Sequence, residues 1–172
     1  MTSRVEILTE RFRLRELTDV DVSERYLGWL RDREAKRYIA AAQQTPALST
    51  LVEYVRQRVN RPDVLFLGIF EKMSGLHVGN IKYEPVDSVQ GYAIMGILIG
   101  DPTFRGKGVA AEVLQASANW LRQHRGIRQI LLGVSRENVG AIRAYDKVGF
   151  VEVTSAHITK QNDETITMGW TL

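Results

Sequence analysis

Phe104-Arg105-Gly106-Lys107-Gly108-Val109-Ala110 stands between a run of apolar residues, Tyr92–Ile99, and a stretch with helical periodicity, Lys107–His124. The first run is short and rich in branched aliphatic residues, which suits a buried strand. In the second, Val109, Val113, Leu114, Ser117, Trp120 and Leu121 fall on one face of a helix. Two glycines between them let the backbone take left-handed conformations or come close to a ligand. The first-turn N–H groups of a helix have no partner within it and carry the positive end of its dipole. A strand, a glycine turn and a helix in this order therefore make an anion site, with Arg105 and Lys107 adding charge at the same place.

Three readings compete for this turn. As a phosphate loop of the nucleotide triphosphatase kind it fails: no glycine stands at the required distance before Gly106-Lys107, and Gly108 occupies the Ser/Thr position. Gly106 to Ala111 matches G-x-G-x-x-A formally. A dinucleotide fold, however, wants an acidic residue about twenty positions on, and Gly126–Ile130 offers none. The third reading is a glycine turn with a purely structural role.

Working outward, Arg11–Arg15 alternates as a first strand. Thr18 and Asp21 are spaced as a capping box before Val22, Tyr26, Trp29 and Leu30, which recur at helical spacing. A linker through Ala40–Pro46 follows. Thr50 and Glu53 are spaced as a second box, with Val52, Val55 and Val59 on one face and Pro62 as a stop. Val64–Phe70, Leu76–Tyr83 and Tyr92–Ile99 read as strands, and the helix after the glycine turn leads to a buried strand at Gln129–Val134. Asn138–Val148 reads as a short helix closed by Gly149. Val151–Ile158 and Thr165–Leu172 read as a final antiparallel pair around the polar loop Lys160–Glu164. The order β-α-α-β-β-β-α-β-α-β-β gives a mixed α/β (α+β) fold, with one parallel pair across the central crossover of an otherwise antiparallel sheet. No repeat or boundary interrupts it, so residues 1–172 are expected to form one domain.

Composition narrows the function classes. The chain of 172 residues has no cysteine, which removes disulfide scaffolds, thiol nucleophiles and thiolate metal sites and suits a reducing cytoplasm. The histidines, His77, His124 and His157, are scattered without ligand spacing, so no metal is expected. A formal charge of +3 is mildly basic, but Lys and Arg are interspersed with Asp and Glu. Nucleic-acid binding would want a denser stripe and a known module. No apolar run approaches the about twenty residues of a membrane helix, and the N-terminus MTSRVEILTERFRL does not read as a signal peptide.

The glycine segment resembles the signature of the GNAT N-acetyltransferases, whose pattern [Gln/Arg]-x-x-Gly-x-[Gly/Ala] fits Arg105, Gly108 and Ala110. A second element, Asn138 to Phe150 (NVGAIRAYDKVGF), is similar to the N-x-x-A-x-x-x-Y-x-K-x-G-F stretch of the same family. The N-terminal ILTERFRLRELTDVD is similar to the RimJ/RimL-like branch. The resemblance implies the GNAT fold: a central mixed, mostly antiparallel seven-stranded sheet flanked by about four helices and splayed between strands 4 and 5. It implies acetyl-CoA as co-substrate, with Arg105, Gly106, Lys107, Gly108, Val109 and Ala110 at its pyrophosphate. The backbone of Ile97, Leu98 and Ile99 and the side chain of Asn138 would lie along its pantetheine, and the Ile97 N–H would face the thioester oxygen. No metal is implied.

Acetyl transfer to an amine needs a neutral amine, a polarised carbonyl and a proton for the departing thiolate. The resemblance puts Tyr145 beside the sulfur as the acid. Glu84 is the base candidate, with His77 as the other group near the same strand. The acceptor is expected to be a primary amine on a protein N-terminus, as in RimJ/RimL-like enzymes. A nucleotide-linked amino sugar or other small amine is the alternative, and a non-catalytic acyl-CoA-binding module is the reading from another class. Tyr26, Trp29, Tyr38, Asp163 and Glu164 fall on the segments that form the acceptor pocket in the family. The expected setting is cytoplasmic, without nucleic-acid or membrane partners, and a homodimer is left open.

Overall fold

The computed structural model describes residues 4–32, 47–160 and 162–172. Among them the strands are β1 (Glu6–Leu8), β2 (Phe12–Glu16), β3 (Leu65–Glu71), β4 (His77–Asp87), β5 (Tyr92–Ile99), β6 (Gln129–Ser135), β7 (Val151–Glu152) and β8 (Thr165–Thr171). The helices are α1 (Glu24–Arg31), α2 (Leu48–Arg56), α3 (Val109–Arg125) and α4 (Val139–Val148). All the strands join one sheet in the order β1-β2-β3-β4-β5-β6-β8-β7. Every pair is antiparallel except β5–β6, the pair bridged by α3.

Strand alternation sorts the side chains into two layers. Ile81 and Tyr83 of β4, Ala93 and Met95 of β5 and Ile130 and Leu132 of β6 pack with Val109, Val113, Leu114, Ala118 and Leu121 of α3. On the opposite face, Tyr26, Leu27, Trp29 and Leu30 of α1 and Leu51 and Val55 of α2 pack against Phe66 and Phe70 of β3. Buried deep in the first layer, the Tyr83 hydroxyl pairs with Ser117 Oγ at 2.7 Å, so that tyrosine is a core group.

The opening in the sheet lies in its middle. Tyr92, Ala93 and Ile94 pair with Gln129, Ile130 and Leu131, and there the β5–β6 ladder stops. Both strands continue, β5 held by β4 as far as Ile99 and β6 held by β8 along its whole length. From Met95 onward β5 therefore has a ladder partner on one side only. Each half of the sheet follows its own neighbour, and the two part beyond Ile94 and Leu131. This is the splay expected between Tyr92–Ile99 and Gln129–Val134, the fourth and fifth of the seven strands read from the sequence.

Four local expectations are corrected. Among the described residues the sheet has eight strands, because Glu6–Leu8 adds an edge strand to β2; three residues are too few for an alternation signal. The Thr18–Asp21 box exists, with the Asp21 carboxylate accepting from Thr18 N and Oγ1, but it caps a short 3-10 turn. Helix α1 starts later, with Ser23 Oγ accepting from Tyr26 N at 3.2 Å. Thr50 and Glu53 lie inside α2, whose cap is Ala47. The strand expected over Val151–Ile158 shrinks to Val151–Glu152. The linker Ala40–Pro46 lies outside the described residues.

Candidate active site

The glycine turn sits where β5 ends and α3 begins. Gly106 and Gly108 both have positive φ, 69° and 73°, and Gly108 is the N-cap of α3. Among the described residues a Cβ on Gly106 would meet nothing within 4 Å, and one on Gly108 only the Arg11 guanidinium at 3.9 Å. The turn is thus glycine for its backbone conformation and for the room it leaves, not for want of space inside the protein. The N–H groups of Val109, Ala110 and Ala111 open the helix without intrahelical partners.

Two braces hold this turn. On the strand side, Arg105 Nε donates to the Ile99 carbonyl at 2.9 Å and Nη2 to the Gly100 carbonyl at 3.3 Å, with Asp32 at 3.2 Å. On the other side, Arg11 in the β1–β2 turn reaches across. Its backbone N and Nε donate to the Glu112 carboxylate at 2.8 and 2.7 Å, and its Nη2 to the Lys107 carbonyl at 3.0 Å. Thr9 Oγ1 donates to the same carboxylate at 2.7 Å. Arg11 and Glu112 were not singled out by the sequence, because they are 101 positions apart. An acidic residue in a first helical turn also reads simply as a partner of the dipole.

The brace has a pH signature. Burial pushes the Glu112 carboxyl up, but the bonds from the Arg11 backbone, Thr9 and the Arg11 guanidinium outweigh it and hold the group below its usual range. Asp21 is alike: burial raises it, and Arg15 and Thr18 more than cancel that. Groups more acidic in the folded than the unfolded chain add stability that is complete above an unfolded value of about 4 and is lost as pH falls through the folded values. Glu112→Gln is expected to lower Tm at pH 7 by about 3–6 °C, from about 1–2 kcal/mol. It should also flatten the fall of Tm between about pH 5 and 2. Thermal unfolding followed by circular dichroism measures both, and an unchanged Tm at pH 7 removes the brace.

Tyr145 lies on the inner face of α4, the residue 9% exposed and its ring 5.6 Å from that of Phe150. Ile97 and Ile99 of β5 pack against the same core. Desolvation pushes its phenol up to about 12. Among the described residues the Tyr145 hydroxyl has no hydrogen-bond partner, and no buried side-chain polar atom among them lacks one. The hydroxyl consequently opens onto accessible space while the ring is in the core. Asn138 caps α4 with its Oδ1 accepting from Ala141 N at 3.3 Å. Gly149 closes the helix at φ 121°.

Glu84 lies on the other face of the sheet, beside α2. Arg58 Nε donates to it at 2.9 Å, Lys82 Nζ stands at 3.2 Å and Arg61 at 3.9 Å. Burial raises the Glu84 carboxyl, but the Arg58 hydrogen bond and the Lys82 charge outweigh it, so the group sits below its ordinary value. A carboxylate held that way is a weak general base near neutral pH. His77 stacks on Phe70 with centroids 4.7 Å apart, edge-on to Trp29 and Tyr26, and its Nε2 meets Asn80 Oδ1 at 2.7 Å. Burial holds the imidazole below its ordinary value. It is a packed ring, as are Tyr26 and Trp29. Asp163 and Glu164 are exposed in the loop before β8, and Tyr38 lies outside the described residues. Among the described residues no cluster of three or more His, Asp or Glu could hold a metal, and no helix is long and apolar enough to cross a membrane.

Comparison with known proteins meets this geometry. The profile of the acetyltransferase (GNAT) domain matches residues 11–151. A [ribosomal protein bS18]-alanine N-acetyltransferase of Haemophilus ducreyi is 36% identical over 84 residues, which are 44% of this chain and 57% of that protein. The chain thus spans little more than half the length of that relative. A RimL ribosomal L7/L12 alpha-N-protein acetyltransferase in complex with coenzyme A superposes with a TM-score of 0.83 at 15% identity, covering 98% of both chains. Spermidine N-acetyltransferase from Vibrio cholerae, solved with coenzyme A and spermine, superposes at 0.78 with 18% identity over 94% of this chain and 95% of that one. These two likenesses are of fold. With the profile spanning both braces of the glycine turn, the opened sheet and α4, the chain belongs to the GNAT family of acetyltransferases.

Proposed function

We propose that this chain transfers the acetyl group of acetyl-CoA directly to a primary amine, in the RimJ/RimL-like manner to the α-amine of a protein N-terminus. The observation that carries the reading is the parting of β5 from β6 beyond Ile94, under a glycine turn at the start of α3 and on the core side that holds Tyr145. The residues fit the co-substrate. Two left-handed glycines and the N–H groups of Lys107 to Ala110 offer donors to a pyrophosphate, with nothing on Gly106 or Gly108 in the way. The backbone of Ile97, Leu98 and Ile99 has one edge without a strand partner, suited to an extended amide-bearing arm. Arg105 serves by shaping the turn, and Asn138 by starting α4 where Tyr145 is needed.

In the reaction the amine nitrogen forms a bond to the thioester carbon, with the carbonyl oxygen in reach of the Ile97 N–H. The carbon–sulfur bond then breaks. Tyr145 donates a hydrogen bond to the sulfur as negative charge gathers there and passes its proton as the thiolate departs. Free thiols have pKa values of about 8.5, so the transfer becomes favourable only as the same desolvation that raises the phenol raises the thiolate. The proton lost by the nitrogen goes to water on the acceptor side. Glu84, the base candidate, has its oxygens turned to Arg58 and Lys82, and in this reading it orders those cations.

The test is release of free thiol from acetyl-CoA against N-terminal peptides, nucleotide amino sugars and polyamines. The expected result is amine-dependent release, fastest with peptides and accompanied by a gain of about 42 Da on the α-amine by mass spectrometry. Binding of coenzyme A without release for any amine would favour a silent binding module. Fastest turnover of a nucleotide amino sugar would move the acceptor to that class.

A further inference from the structure

The face of the sheet beside α1 and α2 has a niche at the mouth of the opening. Ile94 pairs with Leu131, so two residues on, Gly96 and Gly133 occupy corresponding positions on the two parting strands. Both are exposed and both lie on this face. Among the described residues a Cβ on Gly96 would meet nothing within 4 Å, and one on Gly133 only Thr165 Cγ2 at 3.7 Å. The two lips of the opening thus carry no side chain at this level.

One wall of this niche is charged. Lys82 stands directly across the β4–β5 ladder from Gly96, and cross-strand partners place their Cβ positions about 5 Å apart on the same face. Its ammonium donates to Tyr54 Oη at 2.7 Å and lies 3.2 Å from Glu84, which leaves one of its three N–H groups. Arg58 lies over the Tyr54 ring, 3.6 Å from its centroid, with Nε on Glu84 and Nη1 on the Tyr54 carbonyl. Among the described residues, Lys82 and Arg58 therefore share one carboxylate, Glu84. Arg61, the next cation, has its own partner in Asp63 at 2.5 Å. On the far side Thr165 and Thr167, opposite Ser135 and Gly133, bring hydroxyls. The carboxylates of that side, Asp163 and Glu164, are out in the exposed loop, with Asp163 3.8 Å from Lys160.

We infer that the acceptor is a primary amine bearing an anionic group, a carboxylate or phosphate, near the nitrogen, and that Lys82 and Arg58 receive that group over Gly96. The inference rests on the transfer reading above. The excess positive charge at the mouth repels polycationic amines and attracts anionic ones, and it does so from partly desolvated side chains. Lys82 is a specificity residue here, since the bond-making atoms are supplied elsewhere.

Matched acceptors test this through kcat/KM from thiol release. The pairs are a peptide with Asp at its second position against the same peptide with Asn, and a phosphorylated amino sugar against its unphosphorylated form, with spermidine as the cation. The expected result is a preference of about tenfold for the acidic member of at least one pair, with spermidine slowest. Which pair shows it tells whether the anion comes from a peptide or a sugar. The preference should shrink as salt rises from about 20 to about 500 mM, and Lys82→Gln should bring the acidic-to-neutral ratio close to one. The salt series uses the unaltered protein, so it stands even if the variant folds poorly. Equal rates within both pairs, or fastest turnover of spermidine, would overturn the inference alone. Absence of release with every amine, while coenzyme A still binds by calorimetry, would overturn the transfer reading and this inference with it.

Discussion

Gly108→Val is expected to weaken coenzyme A binding at least a hundredfold while leaving the protein folded. At φ 73° the backbone of Gly108 is left-handed, and a β-branched residue there costs about 1–2 kcal/mol or forces the turn into another conformation. Among the described residues a Cβ at this position meets only the Arg11 guanidinium, at 3.9 Å, so the strain is not accompanied by a core clash at that atom. What moves is the aim of the N–H groups at the start of α3. Loss of two such bonds to a charged pyrophosphate, together with the added bulk, is worth about 3 kcal/mol or more, which is over a hundredfold in Kd. Isothermal calorimetry with coenzyme A reads the affinity and circular dichroism the fold. An affinity within threefold of the parent protein would remove the turn from the binding site.

Tyr145→Phe has the other large effect. The ring is in the core and its hydroxyl opens outward, so the change removes one oxygen and leaves the packing. General acids contribute about 10²–10⁴-fold, and a fall in kcat of that order is expected with coenzyme A affinity retained. The phenol is pushed up to about 12 by desolvation. It is therefore protonated, and able to donate, throughout the range in which the protein is assayed, so its ionisation should leave no alkaline limb below about pH 11. Full activity of the phenylalanine variant across pH would assign the proton to another donor.

Much of this was legible because it is local. The order of strands and helices followed from periodicity, and the parallel pair from a strand, helix and strand in succession. The turn at Arg105–Ala110 and the cap at Asn138 announce themselves by glycines and by a side chain that bonds three residues on. What could not be read is relational. Glu84 reads in the sequence as a base candidate, yet Arg58, 26 positions away, takes it. Gly96 and Gly133 become a pair only through the register that stops at Ile94. Thr50 and Glu53 carried a capping signal, but burial of Leu51 and Val55 against the sheet fixed where α2 runs.

The three-rung ladder between β5 and β6 has a mechanical consequence. So few backbone bonds cannot set the angle between the two halves of the sheet, and α3 has to act as the spar that does. Val113, Leu114, Ala118 and Leu121 of that spar are fully buried in a layer with residues from β4, β5 and β6. Its thickness, methyl group by methyl group, thus fixes how far the two lips stand apart. Interiors this tightly filled pass on changes of a single methylene. A core substitution in the middle of α3, distant from every reacting atom, would act as an adjustment of gauge on the slot.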